Sequence, residues 1–213
     1  MAKVYGLFGP PGAGKGTQWE LYEATSSISY NNLSVGNILR KNVAAGTPLG
    51  QAAQAYMASG ALVPDDIIND LIIDEIKNSS EPVVLDGFPR TVIQAQAMLD
   101  AGITPVVIYF HVDDEIILRR AENRLVCFKC GSTYTRDDFN PPRVEGICDN
   151  CGSELGRRSD DDPEIVKHRL EVYRNETLPV LDVFKNHNVK VFEIDSSRSA
   201  EARKHFAEIM SNN

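Results

Sequence analysis

The chain has 213 residues, 42% of them hydrophobic and 24% charged, with a formal net charge of −8 and a pI near 5.0. No apolar run approaches the roughly 18–20 residues of a membrane helix, and the acidic balance opposes broad nucleic-acid binding, which needs a basic surface. Its N-terminus lacks the basic and long apolar regions of a secretory signal, so a cytoplasmic setting is expected.

The first predicted element is a short apolar strand over residues 3–8. It runs into Gly9-Pro10-Pro11-Gly12-Ala13-Gly14-Lys15-Gly16-Thr17, which opens a helix over 14–24. A glycine-rich turn between strand and helix aims backbone N–H groups and the positive helix end at a polyanion, and Lys15 adds a mobile point charge. The loop departs from the strict G-x-x-x-x-G-K-[ST] pattern, because Gly16 follows Lys15 and the hydroxyl comes at Thr17. The ligand it suggests is a nucleoside triphosphate.

A short strand near 32–35 comes next, then 36–62, read as packed short helices punctuated by Gly46, Gly50 and Gly60. Strands over 82–85, 105–112 and 189–194 are too continuously apolar to be half-exposed. Helical patterns at 65–77, 91–101, 113–122, 163–185 and 200–210 separate or follow them. Buried strands alternating with helices predict an α/β fold of the P-loop type: a parallel five-stranded sheet covered by helices on both faces.

Residues 125–158 break this rhythm, with too few aliphatics for a core of their own. Cys127-x-x-Cys130 and Cys148-x-x-Cys151 stand seventeen residues apart, each pair followed by a glycine, Gly131 or Gly152. Disulfides, a redox pair or a metal are the candidate readings. A reducing compartment disfavours the first, and a redox motif needs only one pair. Structural zinc fits the spacing, with iron or cobalt in the same tetrathiolate as the minor outcome. Such a site supplies roughly 10–16 kcal/mol of apparent binding energy to a segment that is marginal alone.

The longest motif is Val83-Val84-Leu85-Asp86-Gly87-Phe88-Pro89-Arg90-Thr91 followed by Gln94. It resembles the L-D-G-F-P-R-T-x-x-Q signature of adenylate kinases, and G-K-G-T followed by Gln18 resembles the phosphate loop of the same family. Leu33-Ser34-Val35-Gly36-Asn37-Ile38-Leu39-Arg40 is similar to its S-T-G-D-x-x-R segment, and Gly60-Ala61-Leu62-Val63-Pro64-Asp65 to its G-x-L-V-P-D segment.

The resemblance implies reversible, magnesium-dependent transfer, ATP + AMP to two ADP. It implies ATP held by Gly12, Ala13, Gly14, Lys15, Gly16, Thr17, Arg120 and Arg124. AMP would be held by Val35, Arg40, Met57, Leu62, Val63, Gly87, Arg90, Gln94, Arg158 and Arg169. Among the catalytic residues implied, Lys15 would follow the donor phosphates, Arg90 with Arg40 would fix the acceptor phosphate, and Arg124, Arg158 and Arg169 would stabilise charge on the transferred group, with Asp86 orienting magnesium through water and Gln94 reading the adenine edge. Cys127, Cys130, Cys148 and Cys151 would hold the structural zinc of a lid. The division implied is a core of 1–30, 63–122 and 162–213, an acceptor-binding insertion of 31–62 and a zinc-ribbon lid of 123–161, in a cytoplasmic monomer without nucleic-acid or membrane partners.

Several positions depart from the family pattern. Val35 replaces a threonine, Asn37 an aspartate and Asn123 a glycine, while Ser196 and Ser197 stand where a glycine is usual and Trp19 replaces a small residue. These changes bear on acceptor selectivity and turnover. Two other readings stay open: a scaffold whose kinase activity has decayed, and a P-loop ATPase carrying a zinc ribbon for nucleic acid. Against the second, Phe128, Tyr134 and Phe139 are accompanied by Asp137, Asp138, Glu145, Asp149 and Glu154, which oppose a polyanion.

Overall fold

A computed structural model describes residues 2–137 and 140–213; Asp138 and Phe139 lie outside the described residues. Its central sheet is built from β1 (Val4–Phe8), β2 (Asn31–Ser34), β3 (Val83–Asp86), β4 (Val106–His111) and β8 (Val191–Asp195). All the pairings are parallel and the order is β2-β3-β1-β4-β8. The expected parallel five-stranded sheet is thus present.

Alternation along β4 explains why its sequence reads as uniformly apolar. Val107 points into one core, with Ile72, Met98 and Phe184, while Ile108 and Phe110 point into the other, with Trp19 and Phe206. Helices α4 (Asp65–Asn78), α5 (Val92–Asp100) and α8 (Val180–Asn186) cover the first face. Helices α1 (Lys15–Glu23) and α9 (Ser199–Asn212) cover the second. Trp19 is packing: its ring is buried, edge-on to Tyr30 at 5.1 Å between centroids.

The register puts Phe8, Ser34, Asp86, His111 and Asp195 at one edge of the sheet. The chain leaves β1 toward β2 on one side and reaches β4 on the other, so β1 is the topological switch point. Open α/β sheets bind ligands beyond the carboxyl ends at such a point.

Two insertions overhang this edge. After β2 come α2 (Val35–Ala45) and α3 (Pro48–Ser59), packed so tightly that a Cβ on Gly50 would stand 2.1 Å from the Asn42 carbonyl oxygen. Thr47 caps α3 by accepting from the Gly50 N–H at 3.1 Å, with Pro48 at the first helical position. After α6 (Asp114–Asn123) comes a small antiparallel sheet of β5 (Arg124–Cys127), β6 (Thr133–Thr135) and β7 (Leu155–Gly156), with β5 central.

One expectation is corrected. The helix predicted over 163–185 is broken: α7 (Pro163–Val172) passes into a π-helical turn, Tyr173–Thr177, and α8 starts only at Val180. Leu178 N–H reaches back five residues to the Tyr173 carbonyl at 2.8 Å, and Pro179, with no N–H to give, resets the ladder.

Candidate active site

The carboxyl edge of the sheet, the first turn of α1 and both insertions enclose a cavity of about 680 Å³. Its floor is the loop between β1 and α1, where Gly12, Ala13, Gly14, Lys15, Gly16 and Thr17 all line the wall. Gly12 adopts φ 82°, and a Cβ there would meet Ile117 Cγ2 at 2.8 Å, so both backbone and space require glycine. The Lys15 ammonium donates to the carbonyls of Gly9 and Pro10, each at 2.9 Å.

Asp86, the last residue of β3, lies across from α1, its carboxylate 3.6 Å from where a Cβ on Gly16 would be. Gly87 follows at φ 88°. A Cβ on it would stand 2.8 Å from Arg90 Nη2, so the missing side chain lets Arg90 fold back over the strand end.

Arg40, Arg90, Arg120, Arg124, Arg158 and Arg169 also line the cavity. They come from α2, the loop after β3, α6, β5, the segment after β7 and α7, which nothing local in sequence brings together. Burial pushes the Lys15 ammonium down to about 8, against the pull of Asp86 and with Arg90, Arg169 and Arg124 adding to the drop. Burial, then Arg169, lowers Arg90. Burial also brings Arg158 down to about 10, reinforced by Arg124 and Arg40. So many cations facing one another make a site whose charge is relieved by a polyanionic ligand.

Two acids from one short turn hold part of this array. Arg169 Nη1 donates to the Asp160 carboxylate at 2.7 Å, and Arg124 donates through Nε at 2.9 Å and through Nη2 to the Asp161 carboxylate, which has no exposed surface. Burial raises the Asp160 carboxyl, but Arg169, Arg124, Arg158 and Arg40 together hold it below the ordinary range.

A smaller pocket of about 70 Å³ opens beside Arg40, Arg90 and Arg169. Val35, Met57, Leu62, Val63, Gly87 and Gln94 line it, and Arg158 lines only the larger cavity. Asn37 sits in the main cavity and accepts from Arg40 Nη2 at 2.7 Å, so this departure touches the arginine directly.

On the far side, Arg120 donates to the carbonyls of Ser196, at 2.6 Å, and Gly12, at 3.4 Å, bridging the phosphate loop and the turn after β8. Ser196 is itself pinned, its hydroxyl donating to the His111 carbonyl at 3.1 Å. Asn123 closes α6, its amide donating to the Arg119 carbonyl at 3.0 Å.

Glu20 is a cavity residue the sequence reading did not single out. Enclosure pushes its carboxyl up to about 7; Arg158 opposes, while Asp86 and Glu23 add. Its signal was available, since it stands one helical turn beyond Gly16 and Thr17 on α1.

The four cysteines meet as two matching knuckles. Gly131 N–H donates to the Cys127 carbonyl and Gly152 N–H to the Cys148 carbonyl, each at 2.9 Å, with both glycines at positive φ. The four sulfurs lie within 4.8 Å of one another. A tetrathiolate with zinc–sulfur bonds of about 2.3 Å has sulfurs roughly 3.8 Å apart, so the cluster fits zinc. Four ligands close the shell and leave no position for substrate. Among the described residues, Leu125, Tyr134 and Leu155 pack around it as a small apolar core.

Comparison with known proteins matches residues 7–189 to the family model described as adenylate kinase. A curated adenylate kinase from Lachnospira eligens is 44% identical over 199 residues, 90% of this chain and 92% of the relative. One from Clostridium tetani is 43% identical over 190 residues, covering 86% and 87%. One from Pyrococcus furiosus is 40% identical over 190 residues, covering 87% and 85%.

Proposed function

This chain belongs to the adenylate kinase family, and on that premise we propose that it catalyses reversible phosphoryl transfer between ATP and AMP, giving two ADP. The observation that carries the reading is the gathering of Lys15 and arginines from six separate segments around one cavity, with a smaller pocket at its side lined by both aliphatic and charged side chains.

In this reading the phosphate loop, Arg120 and Arg124 hold the donor, with Lys15 following its phosphates. The smaller pocket holds the acceptor base among Val35, Met57, Leu62 and Val63. Arg40 and Arg90 fix the acceptor phosphate, and Arg124, Arg158 and Arg169 neutralise charge on the group in flight. Magnesium enters with ATP, and Asp86 fits the task of orienting its water. Phosphoryl transfer asks the protein for alignment and charge neutralisation rather than covalent chemistry, which suits a site rich in guanidinium groups. Zinc in the cysteine cage would hold the segment that delivers Arg124 and Arg158.

The same reading has residues 31–62 and 123–161 close over a core of 1–30, 63–122 and 162–213, excluding water that would hydrolyse ATP. It also has a cytoplasmic monomer without nucleic-acid or membrane partners, and the net charge of −8 supports the absence of a nucleic-acid partner. The test is a coupled assay for ADP from ATP plus AMP with magnesium. ADP formation that depends on AMP is expected, and its absence sinks the proposal.

A further inference from the structure

We infer that Asp65 is a specificity-determining positioning residue, which locks the side-chain amide of Gln94 in one orientation and thereby makes the acceptor pocket select 6-amino over 6-oxo purine monophosphates. The inference rests on the acceptor assignment above and deepens it.

Gln94 is almost wholly buried at the start of α5 and lines the smaller pocket. Its Oε1 accepts from the Arg90 backbone N–H at 2.7 Å, and its Nε2 donates to Asp65 Oδ1 at 2.8 Å. The other carboxylate oxygen, Oδ2, accepts from the Thr91 hydroxyl at 3.0 Å, and that hydroxyl accepts the Gln94 backbone N–H at 3.1 Å. Asp65, at the start of α4, therefore has one oxygen held by the Thr91 hydroxyl while the other meets the amide.

The orientation follows from the partners and not from the amide itself. A backbone N–H can only donate and a carboxylate can only accept. Rotating the amide by half a turn would set –NH₂ against the Arg90 N–H and Oε1 against the Asp65 carboxylate, two repulsive contacts in a buried place. The lock leaves one N–H on Nε2 and one lone pair on Oε1 for a ligand. Adenine offers the matching edge, an amino donor at C6 beside the N1 acceptor. Hypoxanthine offers a carbonyl acceptor at C6 beside an N1–H donor, and pairing with it needs the rotated amide. Val35 carries no hydroxyl, and the other polar side chains lining this pocket among the described residues are the charged Arg40, Arg90, Asp160 and Arg169, so Gln94 is its one side-chain amide.

The test compares AMP with IMP, which differ only at this edge, as acceptors for the full chain with magnesium–ATP. The wild type should prefer AMP in kcat/KM. In Asp65→Asn, which keeps size and turns a group that can only accept into one that can also donate, that preference should fall by about tenfold or more, in line with the discrimination a bidentate base contact provides. Asp65→Ala should lower it as well, so the idea does not hang on one variant. A merely structural role for Asp65 would weaken both acceptors equally. An unchanged AMP-to-IMP ratio in folded variants overturns the lock while leaving the kinase reading intact. A wild-type chain that leaves AMP unphosphorylated overturns the acceptor assignment itself.

Discussion

The buried pair of Asp161 and Arg124 allows a prediction whose size follows from the structure. Asp161 is 0% exposed and accepts from both Nε and Nη2 of Arg124, whose side chain is 20% exposed. Replacing it with asparagine keeps the shape and one acceptor, but turns an amide –NH₂ toward a guanidinium donor. One charge-assisted hydrogen bond is lost, worth about 1.5–3 kcal/mol, and Arg124 loses the carboxylate it is paired with. Removing one partner of a fully buried pair costs about 3–5 kcal/mol. The water reaching Arg124 moderates this, so about 3 kcal/mol is expected for Asp161→Asn. The turn Ser159–Asp161 packs against both α3 and α7, so the loss reports on the body of the molecule and not on one loop. For a chain of this size that energy lowers the melting temperature by roughly 6–12 °C. Thermal denaturation followed by far-ultraviolet circular dichroism measures it. A variant melting within about 2 °C of wild type refutes the view that this carboxylate holds the arginine array.

Two further predictions follow from charge and metal. Lys15 falls to about 8 from 10.5 through burial, and bound phosphates, being anionic, will raise it again; the complex therefore binds more protons than the free protein, so ATP affinity should weaken as pH rises through 8. Calorimetry at pH 8 in buffers of different ionisation enthalpy should show uptake of about half a proton per ATP bound, and no uptake, or proton release, contradicts the assignment of Lys15 to the phosphates. Stripping metal with a strong chelator should lower the melting temperature by roughly 5 °C or more and make four thiols titratable, because among the described residues the apolar core around the cage is small: Leu125, Tyr134 and Leu155; an unchanged melt means the cysteines hold nothing structural.

How much of this could be read from sequence depended on how local the cause was. The strand ending in Asp86 is legible because three buried β-branched or aliphatic residues precede a turn, and the knuckles because C-x-x-C-G carries its own geometry. The strands β5 to β7 are not, since two to four residues are too few for an alternation to register. The break after α7 is hidden for another reason: Arg174-Asn175-Glu176-Thr177 continues a plausible helical pattern, and only Pro179 hints that the ladder is reset downstream.

The run Asp160-Asp161-Asp162 shows where local reading stops. As sequence these are three equivalent carboxylates, and a solvated face is the simplest account of them. In the fold each meets a different demand. Asp160 pairs with Arg169, Asp161 disappears beneath Arg124, and Asp162 caps α7 by accepting from the Glu164 N–H at 3.0 Å, with Pro163 at the first helical position. The cap alone is visible beforehand, because Asp-Pro-Glu is a helix start. The other two depend on arginines from β5 and α7, whose approach is set by how the cysteine-bearing segment returns to the sheet. Asp160 and Asp161 therefore tie the geometry of that segment to the placement of the cations, so damage at the cage should reach the cavity through these two carboxylates before it reaches the phosphate loop.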